Sequence, residues 1–362
     1  AASDVYKRQI QAGALFVALK GEHFDGHDYV AAARDKGAFG AVVSEDRPSF
    51  HDAGLVIFVV KDTLVAYQEL ARFHRRRFAI PVVAVTGSVG KTSTRNMVAQ
   101  VLSQKYNVLQ TEKNFNNEIG LPKTLLALTA DHEACVVEMG MRGLGQIAEL
   151  AAIAEPTIGV VTNVGKSHIE LLGSQENIAK AKCELVEAIG PDGTAILNQD
   201  DPFVTAMADR CRGKVVGYGI TSNAMVRGSR ITCNEKGVRF TCRFFDQVMD
   251  ISIPVIGEHN VYNALVAIAV GRILGLTEHQ LQRGLSQYHG MAMRQELVNI
   301  GEYTFVNDAY NANPASMSEA LRTLSLLTKG RKIAVLGGML ELGDWTKIEH
   351  EKIGKEAANL QS

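Results

Sequence analysis

The sequence predicts an α/β protein of two or three domains built around a mainly parallel sheet, and three observations carry that expectation. The first is length: 362 residues exceed what one ordinary core encloses, at roughly 150 residues per domain. The second is alternation, because near-continuous apolar runs alternate with helical segments, the pattern of parallel strands covered on both faces. The third is residues 82–94, VVAVTGSVGKTST, in which an apolar strand meets a glycine-containing turn and then Lys and Thr opening a helix.

The elements follow in order. From Gly13 a strand (ALFVAL), a polar loop (KGEHFDGHD), a helix (YVAAARDKG) and a strand (AVVSE) make a small unit ending near Arg77. Next, VVAVTG, VVEMG and IGVVTNV read as strands, with RNMVAQVLSQ, GQIAELAAIA and ENIAKAKCELVEAI as helices. A hairpin (GVRFTCRF, VMDISIP) leads into a helix over 259–274. A third unit opens near Met293 with YTFVNDAY and continues with KIAVLGG. No internal repeat or low-complexity stretch is visible. The opening AASDVYKRQ has no initiator Met and breaks into patterned sequence at Ile10, so it is expected to be a scar outside the fold. The chain stops at Ser362 just after a helical pattern begins, which predicts a truncated last domain.

Composition narrows the function. Hydrophobic residues at 46% and charged residues at 21% match globular averages and exclude disordered and collagen-like classes. A net charge of -1 offers no long-range pull on a polyanion, so nucleic acid is not an expected partner. The basic cluster from Arg72 to Arg77 (RFHRRRF) is expected to be a solvated face or linker. No apolar run approaches the roughly 18 residues of a membrane span, and no signal-peptide pattern opens the chain. A cytoplasmic protein without membrane insertion is expected. The five cysteines include no CxxC and are expected to be reduced and structural.

The turn after VVAVT has the form of a phosphate loop made by Gly87, Ser88, Val89, Gly90, Lys91, Thr92 and Ser93. Backbone N–H groups at a helix N-terminus attract phosphate, Lys91 reaches the β/γ oxygens, and the Thr92 hydroxyl suits Mg²⁺. Nucleotide binding follows. The broad motif would place a glycine at Val85, whereas the first glycine here is Gly87, so that match is partial. Glu138 ends the strand ACVVE and His168 follows IGVVTNV by a short loop. Both are thus expected at the C-terminal edge of one sheet, where α/β ligands bind. Asn260 and Asn263 lie three apart on one helix face and suit an adenine edge, with capping as the other reading of Asn260. At about 100° per residue, Ile178, Leu185, Val186 and Ile189 share one face of the helix over 176–189, and Lys182 falls among them. Lys180 lies opposite, with Glu184 and Glu187. A desolvated Lys182 has a lowered pKa, and its neutral amine can attack CO₂ to give a carbamate suited to magnesium.

The segment AVTGSVGKTS resembles the ATP loop of the Mur ligase superfamily, which carries TG-x-x-GKT. NFNNEIGLPKTLL, VVEMGMRGLGQI, TNVGKSHIELLGSQENIAKAKCEL, GEHNVYNALVA and NDAYNANPASM follow in the family's order, and the resemblance runs from Gly13 to Gly354. It implies a three-domain Mur ligase architecture: 10–79 an N-terminal UDP-substrate-binding domain (incomplete), 80–293 a central ATP-binding domain, and 294–362 a truncated, Rossmann-like C-terminal ligase domain. It also implies ATP and Mg²⁺ as cofactors, UDP-N-acetylmuramoyl-tripeptide and D-alanyl-D-alanine as substrates joined through an acyl phosphate, and a monomer. Lys91, His168 and Lys182 are the implied catalytic residues. Thr92, Glu138, His168 and carbamylated Lys182 are the implied metal residues, Lys182 standing in the family's AK-x-E position. Asn116 or Asn117 would orient the acceptor carboxylate, and Arg294 with Asp308 would close on the nucleotide. Tyr310, Asn311 and Asn313 would complete that substrate loop, although NANP is also ordinary turn chemistry. Gly338 stands where the family has an acidic residue, and the family's N-terminal DSR-containing segment is not seen. Two alternatives stay open: a sister amide ligase of the folylpolyglutamate synthase type, and an ATP-dependent binding module that makes no bond.

Overall fold

A computed structural model describes residues 10–51, 54–327 and 330–359. The expected scar at 1–9 and the terminal Ser362 lie outside the described residues. The strands are β1 (Leu15–Val17), β2 (Lys20–Gly21), β3 (Phe24–Asp25), β4 (Gly40–Val43), β5 (Val56–Val59), β6 (Val82–Thr86), β7 (Val108–Gln110), β8 (Ala134–Glu138), β9 (Ile158–Val161), β10 (Thr194–Asn198), β11 (Lys214–Gly219), β12 (Val226–Asn234), β13 (Gly237–Phe244), β14 (Gln247–Ile253), β15 (Glu296–Ile300) and β16 (Tyr303–Asn307).

Nine strands form the central sheet in the order β14-β13-β12-β11-β10-β9-β6-β8-β7. Every pair from β7 to β12 is parallel, and β12, β13 and β14 extend the sheet as an antiparallel meander. All five residues of β6 are buried, because the sheet has a core on each side. Val83 and Val85 enter one cluster with Met97, Val98 and Leu102 of the helix Lys91–Leu102 and Val261, Leu265 and Ile268 of the helix His259–Ile273. Val82 and Ala84 enter the other, with Leu121, Leu150, Ile178 and Leu185 of three helices on the opposite face. Two-sided burial explains why β6 reads as an unbroken apolar run. Each such valine taken out of water contributes about 1.5–3 kcal/mol.

The N-terminal unit is a parallel sheet in the order β1-β4-β5, with Phe16, Val30, Ala41, Val43 and Phe50 in its own core. Sequence patterning missed β5, whose Val56, Phe58 and Val59 are exposed, and the helix Thr63–Arg75, which Asp62 caps by accepting from Leu64 N and Val65 N. In the third unit β15 and β16 form a hairpin, and the helices Pro314–Leu326 and Thr346–Asn359 pack together. The apolar run KIAVLGG forms no strand among the described residues, and Val335 is 94% exposed. An apolar run specifies a strand only where another strand offers it a ladder.

In the basic cluster Arg76 and Arg77 are exposed as expected, and Arg75 is the correction. Arg75 is buried. Its Nε donates to Ala154 O at 2.9 Å and its Nη1 to Phe78 O at 2.7 Å, fastening the end of the helix Thr63–Arg75 to that of Gln146–Ala154. Arg72 and Arg76 both reach Glu155. Arg75→Met keeps the apolar stem and removes the donors. Its unfolding free energy in urea is expected to fall by about 2–4 kcal/mol, because one buried and one half-buried carbonyl lose their partner; an unchanged midpoint would show that the fastening is idle.

Candidate active site

The C-terminal ends of β8, β6 and β9 are adjacent and level: Val85 pairs with Glu138 on one side and with Val160 on the other. The turn after β6 therefore rises between the two neighbouring strand ends. Gly87 has φ +149, and a Cβ there would fall on the Thr162 hydroxyl. Gly90 has φ +85 and caps the helix Lys91–Leu102. These two glycines let the loop lie against β9 and then turn its amides outward.

The loop is gripped from the side by the residues that follow β9. Asn163 Oδ1 accepts from Val89 N at 2.9 Å, while Asn163 Nδ2 donates to Val89 O at 3.0 Å. The Thr162 hydroxyl donates to the same carbonyl at 2.6 Å, and the Ser88 hydroxyl accepts from Gly165 N at 2.8 Å. Lys91 is half-buried, its Nζ donating to Gly87 O at 2.7 Å and Ser88 O at 3.2 Å. Burial lowers its pKa, with Glu138 opposing that effect and Arg294 adding to it.

Glu138 is 2% exposed. Its Oε1 accepts from Asn116 Nδ2 at 2.8 Å, but its buried Oε2 has no hydrogen-bond partner among the described residues. Arg95 Nη1 stands 3.8 Å from that oxygen. The neighbouring asparagines divide: Asn117 Oδ1 accepts from Gly120 N at 2.9 Å and is spent on the start of the next helix, which leaves Asn116 at the edge. Lys182 is 2% exposed in the helix Gln175–Ala188 and makes no hydrogen bond or ion pair with another described residue. Burial, and then the Lys91 charge, hold its pKa well below the usual lysine value. His168 follows β9 with φ +64, and its Nδ1 pairs with the Glu341 carboxylate. Burial lowers its pKa, Glu341 opposes that by charge and hydrogen bond, and the charges of Lys91 and Lys182 add to the lowering.

On the other side of the loop lies a cavity of about 840 Å³, lined by Val89, Gly90, Ser93, Asn260, Asn263, Arg294 and Asp308 among others. Asn263 Oδ1 accepts from Thr94 Oγ1 at 2.8 Å, and Asn263 Nδ2 donates to Asn260 Oδ1 at 3.1 Å. Asn260 Nδ2 donates to Ile256 O at 2.7 Å from inside the helix; the cap position is Glu258, so the capping alternative is not seen. Arg294 donates from Nη2 to Thr92 Oγ1 at 3.1 Å and stacks on Tyr310 at 4.2 Å. Asp308 accepts from Gln295 N, and burial raises its pKa.

The three residues expected in a substrate loop, Tyr310, Asn311 and Asn313, lie outside the nucleotide cavity. Asn313 is the N-cap of the helix Pro314–Leu326, in a reciprocal capping box with Ser316, so its polar atoms serve the helix. Asn311 is exposed and bonds the backbone of Ala312. Asn163, Arg95 and Glu341 were not singled out in the sequence, although Asn163 stands at a strand end beside the phosphate loop, a position that could have marked it.

A magnesium ion fits this edge. No three His, Cys, Asp or Glu of the described residues are grouped to hold an ion by themselves. The edge instead offers one buried carboxylate with an unsatisfied oxygen and the Thr92 hydroxyl, and Mg²⁺ is commonly held by one or two carboxylates together with substrate phosphates.

Comparison with known proteins gives the family. Family models match residues 8–75 (Mur ligase family, catalytic domain), 85–271 (Mur ligase middle domain) and 293–361 (Mur ligase, glutamate ligase domain). A protein of Synechocystis sp. named UDP-N-acetylmuramoyl-tripeptide--D-alanyl-D-alanine ligase is 44% identical over 361 residues, covering 98% of this chain and 76% of that protein. Among solved structures, MurF from Acinetobacter baumannii superposes with a TM-score of 0.92 at 33% identity, covering 98% of this chain and 77% of its own. MurF ligase from Thermotoga maritima in complex with ADP gives 0.89 at 29% identity, covering 97% and 80%. The chain belongs to the Mur ligase family.

Proposed function

We propose that the chain joins the amine of D-alanyl-D-alanine to the terminal carboxylate of UDP-N-acetylmuramoyl-tripeptide, using ATP to form an acyl phosphate on the way. The observation that carries this reading is the convergence of Lys91, Glu138 and Lys182 on one strand edge, in a chain whose relatives bear the name of that reaction. The γ-phosphoryl group passes to a carboxylate oxygen and ADP leaves. The amine then attacks the carbonyl carbon, phosphate departs and the nitrogen gives up a proton. Such chemistry asks the protein for positioning and charge more than for a covalent partner.

Each residue then has a task. The loop amides and Lys91 hold the γ-phosphate in line, and Asn163 keeps those amides aimed by fixing Val89. Asn260, Asn263, Arg294 and Asp308 line the nucleoside side, and Tyr310 supports the Arg294 guanidinium. Asn116, beside Glu138, orients the acceptor carboxylate. Thr92, Glu138 and His168 would hold Mg²⁺, which when bound neutralises charge between phosphate and carboxylate. Lys182 is proposed to be carbamylated: its neutral amine forms an N–C bond to CO₂ and releases a proton, giving a second carboxylate for that edge. Residues 10–79, 80–293 and 294–362 would act as the UDP-substrate, ATP and closing units of a cytoplasmic monomer that excludes water from the acyl phosphate.

In assays of phosphate release, Lys91→Ala is expected to be inactive with an unchanged circular dichroism spectrum; normal turnover would remove the loop from the mechanism. Omitting each substrate in turn should show that ADP formation needs the tripeptide and that amide formation also needs D-alanyl-D-alanine. Equal activity with glutamate and a folate would transfer the assignment to the sister ligase, and ATP turnover indifferent to both substrates to a binding module. Lys182→Ala should lose roughly 10–100-fold in rate, the range seen when metal-site support is removed, with partial recovery in acetate. Full activity of that variant at every bicarbonate concentration would reject the carbamate.

A further inference from the structure

The loop between β9 and the short helix Ile169–Leu172 carries Asn163 at one end and His168 at the other, and the third unit meets it from above. Glu341 pairs with the His168 ring, and Glu341 O accepts from Glu170 N at 3.2 Å. Between those ends, Lys166 Nζ donates to Glu349 Oε1 at 2.6 Å and lies 4.0 Å from the centre of the Trp345 ring. Glu349 is 2% exposed, and Lys166 is the partner its carboxylate has among the described residues. Beneath the contact, Met339, Leu342 and Ile353 of the third unit share a core cluster with Ile169 and Leu172.

Exposed ion pairs hold little, since water competes for both charges. This one differs on two counts. A carboxylate removed from water depends on its partner, and an ammonium over an indole face gains a second attraction that also fixes its direction. Lys166 is only two residues from His168, so wherever the third unit holds Lys166 it also holds the backbone of His168. Asn163 is tied to Val89 by its own two hydrogen bonds, so the phosphate loop keeps that grip whatever holds Lys166, although Gly165 N beside Lys166 also donates to the Ser88 hydroxyl.

We infer that Lys166 is a positioning residue: gripped by Trp345 and Glu349, it makes the placement of His168 conditional on the seating of the third unit. Seated, the unit supplies Glu341 to the imidazole and holds the loop that presents it. Lifted, it must return a buried carboxylate to water and releases the loop, while the grip of Asn163 on the phosphate loop persists. Nucleotide binding and His168 placement are thereby separable. The kinetic consequence rests on the ligase reading; the structural one does not.

The test uses the whole chain and three variants, Lys166→Met, Glu349→Gln and Lys166→Arg, the last keeping a cation that can stack on Trp345. Amide exchange followed by mass spectrometry, without nucleotide or metal, should show peptides covering 165–172 exchanging about tenfold faster in the first two variants, as for local opening. Peptides covering 82–94 should be unchanged, and Lys166→Arg should stay near the parent. In turnover assays kcat should fall about tenfold in the first two variants, as for lost support of a metal-site histidine, with KM for ATP within about twofold, the split expected when ground-state nucleotide binding is spared. Unchanged exchange over 165–172 in both variants would overturn the inference, and so would a uniform rise across all peptides, which marks general destabilisation. If the parent chain turns over none of the proposed substrates, the ligase reading fails, while the exchange pattern still decides the role of Lys166.

Discussion

The structure depends on how closely the phosphate loop approaches the end of β9. At Gly87 there is no room for a side chain against Thr162, and two residues on, Asn163 takes both the donor and the acceptor of Val89. A loop held only by its own strand and helix could present its amides in several directions. Held by its neighbour, it presents them in one, and preorganised amides stabilise developing phosphate charge without reorganising as the reaction proceeds. The nucleotide side of the site hangs on that contact, and the loop separates the cavity from the edge bearing Glu138, Lys182 and His168.

The two-faced sheet makes this approach possible. Parallel strands β8, β6 and β9 end level with one another, and helices on both faces leave only the strand ends open to ligand. Glu138 and Lys182 show what burial at such an edge does. Among the described residues Glu138 Oε2 has no hydrogen bond and only Arg95 at 3.8 Å, and the Lys182 amine has no counter-ion; buried polar groups left so are unfavourable. The third unit contributes differently. Arg294 reaches the phosphate loop at Thr92, while Glu341, Trp345 and Glu349 contact the loop after β9, so its seating is felt at His168 through a separate set of contacts.

Much of this was legible in the sequence, for local reasons. Unbroken apolar runs announced a sheet covered on both faces, the glycine spacing announced the phosphate loop, and a strand-end position placed Glu138. Helical periodicity separated buried Lys182 from its neighbour Lys180 because burial repeats with the turn of the helix. KIAVLGG shows the limit of such reasoning: it is as apolar as β6, yet it lies open to solvent, since a strand exists only with a partner.

The sequence by itself determined the strands and helices of the central sheet and the inward turn of Lys182, for these depend on residues a few positions apart; β5 and the helix Thr63–Arg75 carry no such pattern. Only the tertiary structure decided which polar side chains are free for chemistry. Asn116 and Asn117 are adjacent and chemically identical, but one donates to Glu138 and the other accepts from Gly120 N at the start of a helix. Asn313 is likewise spent on a cap. Arg75 sits in a run of arginines that reads as solvated, and is buried because carbonyls near residue 155, far along the chain, need its donors. Asn163 meets Val89 and Lys166 meets Glu349 across separations of 74 and 183 residues. No local pattern records such pairings, because what selects them is the satisfaction of buried polar groups, which exists only once the chain has folded.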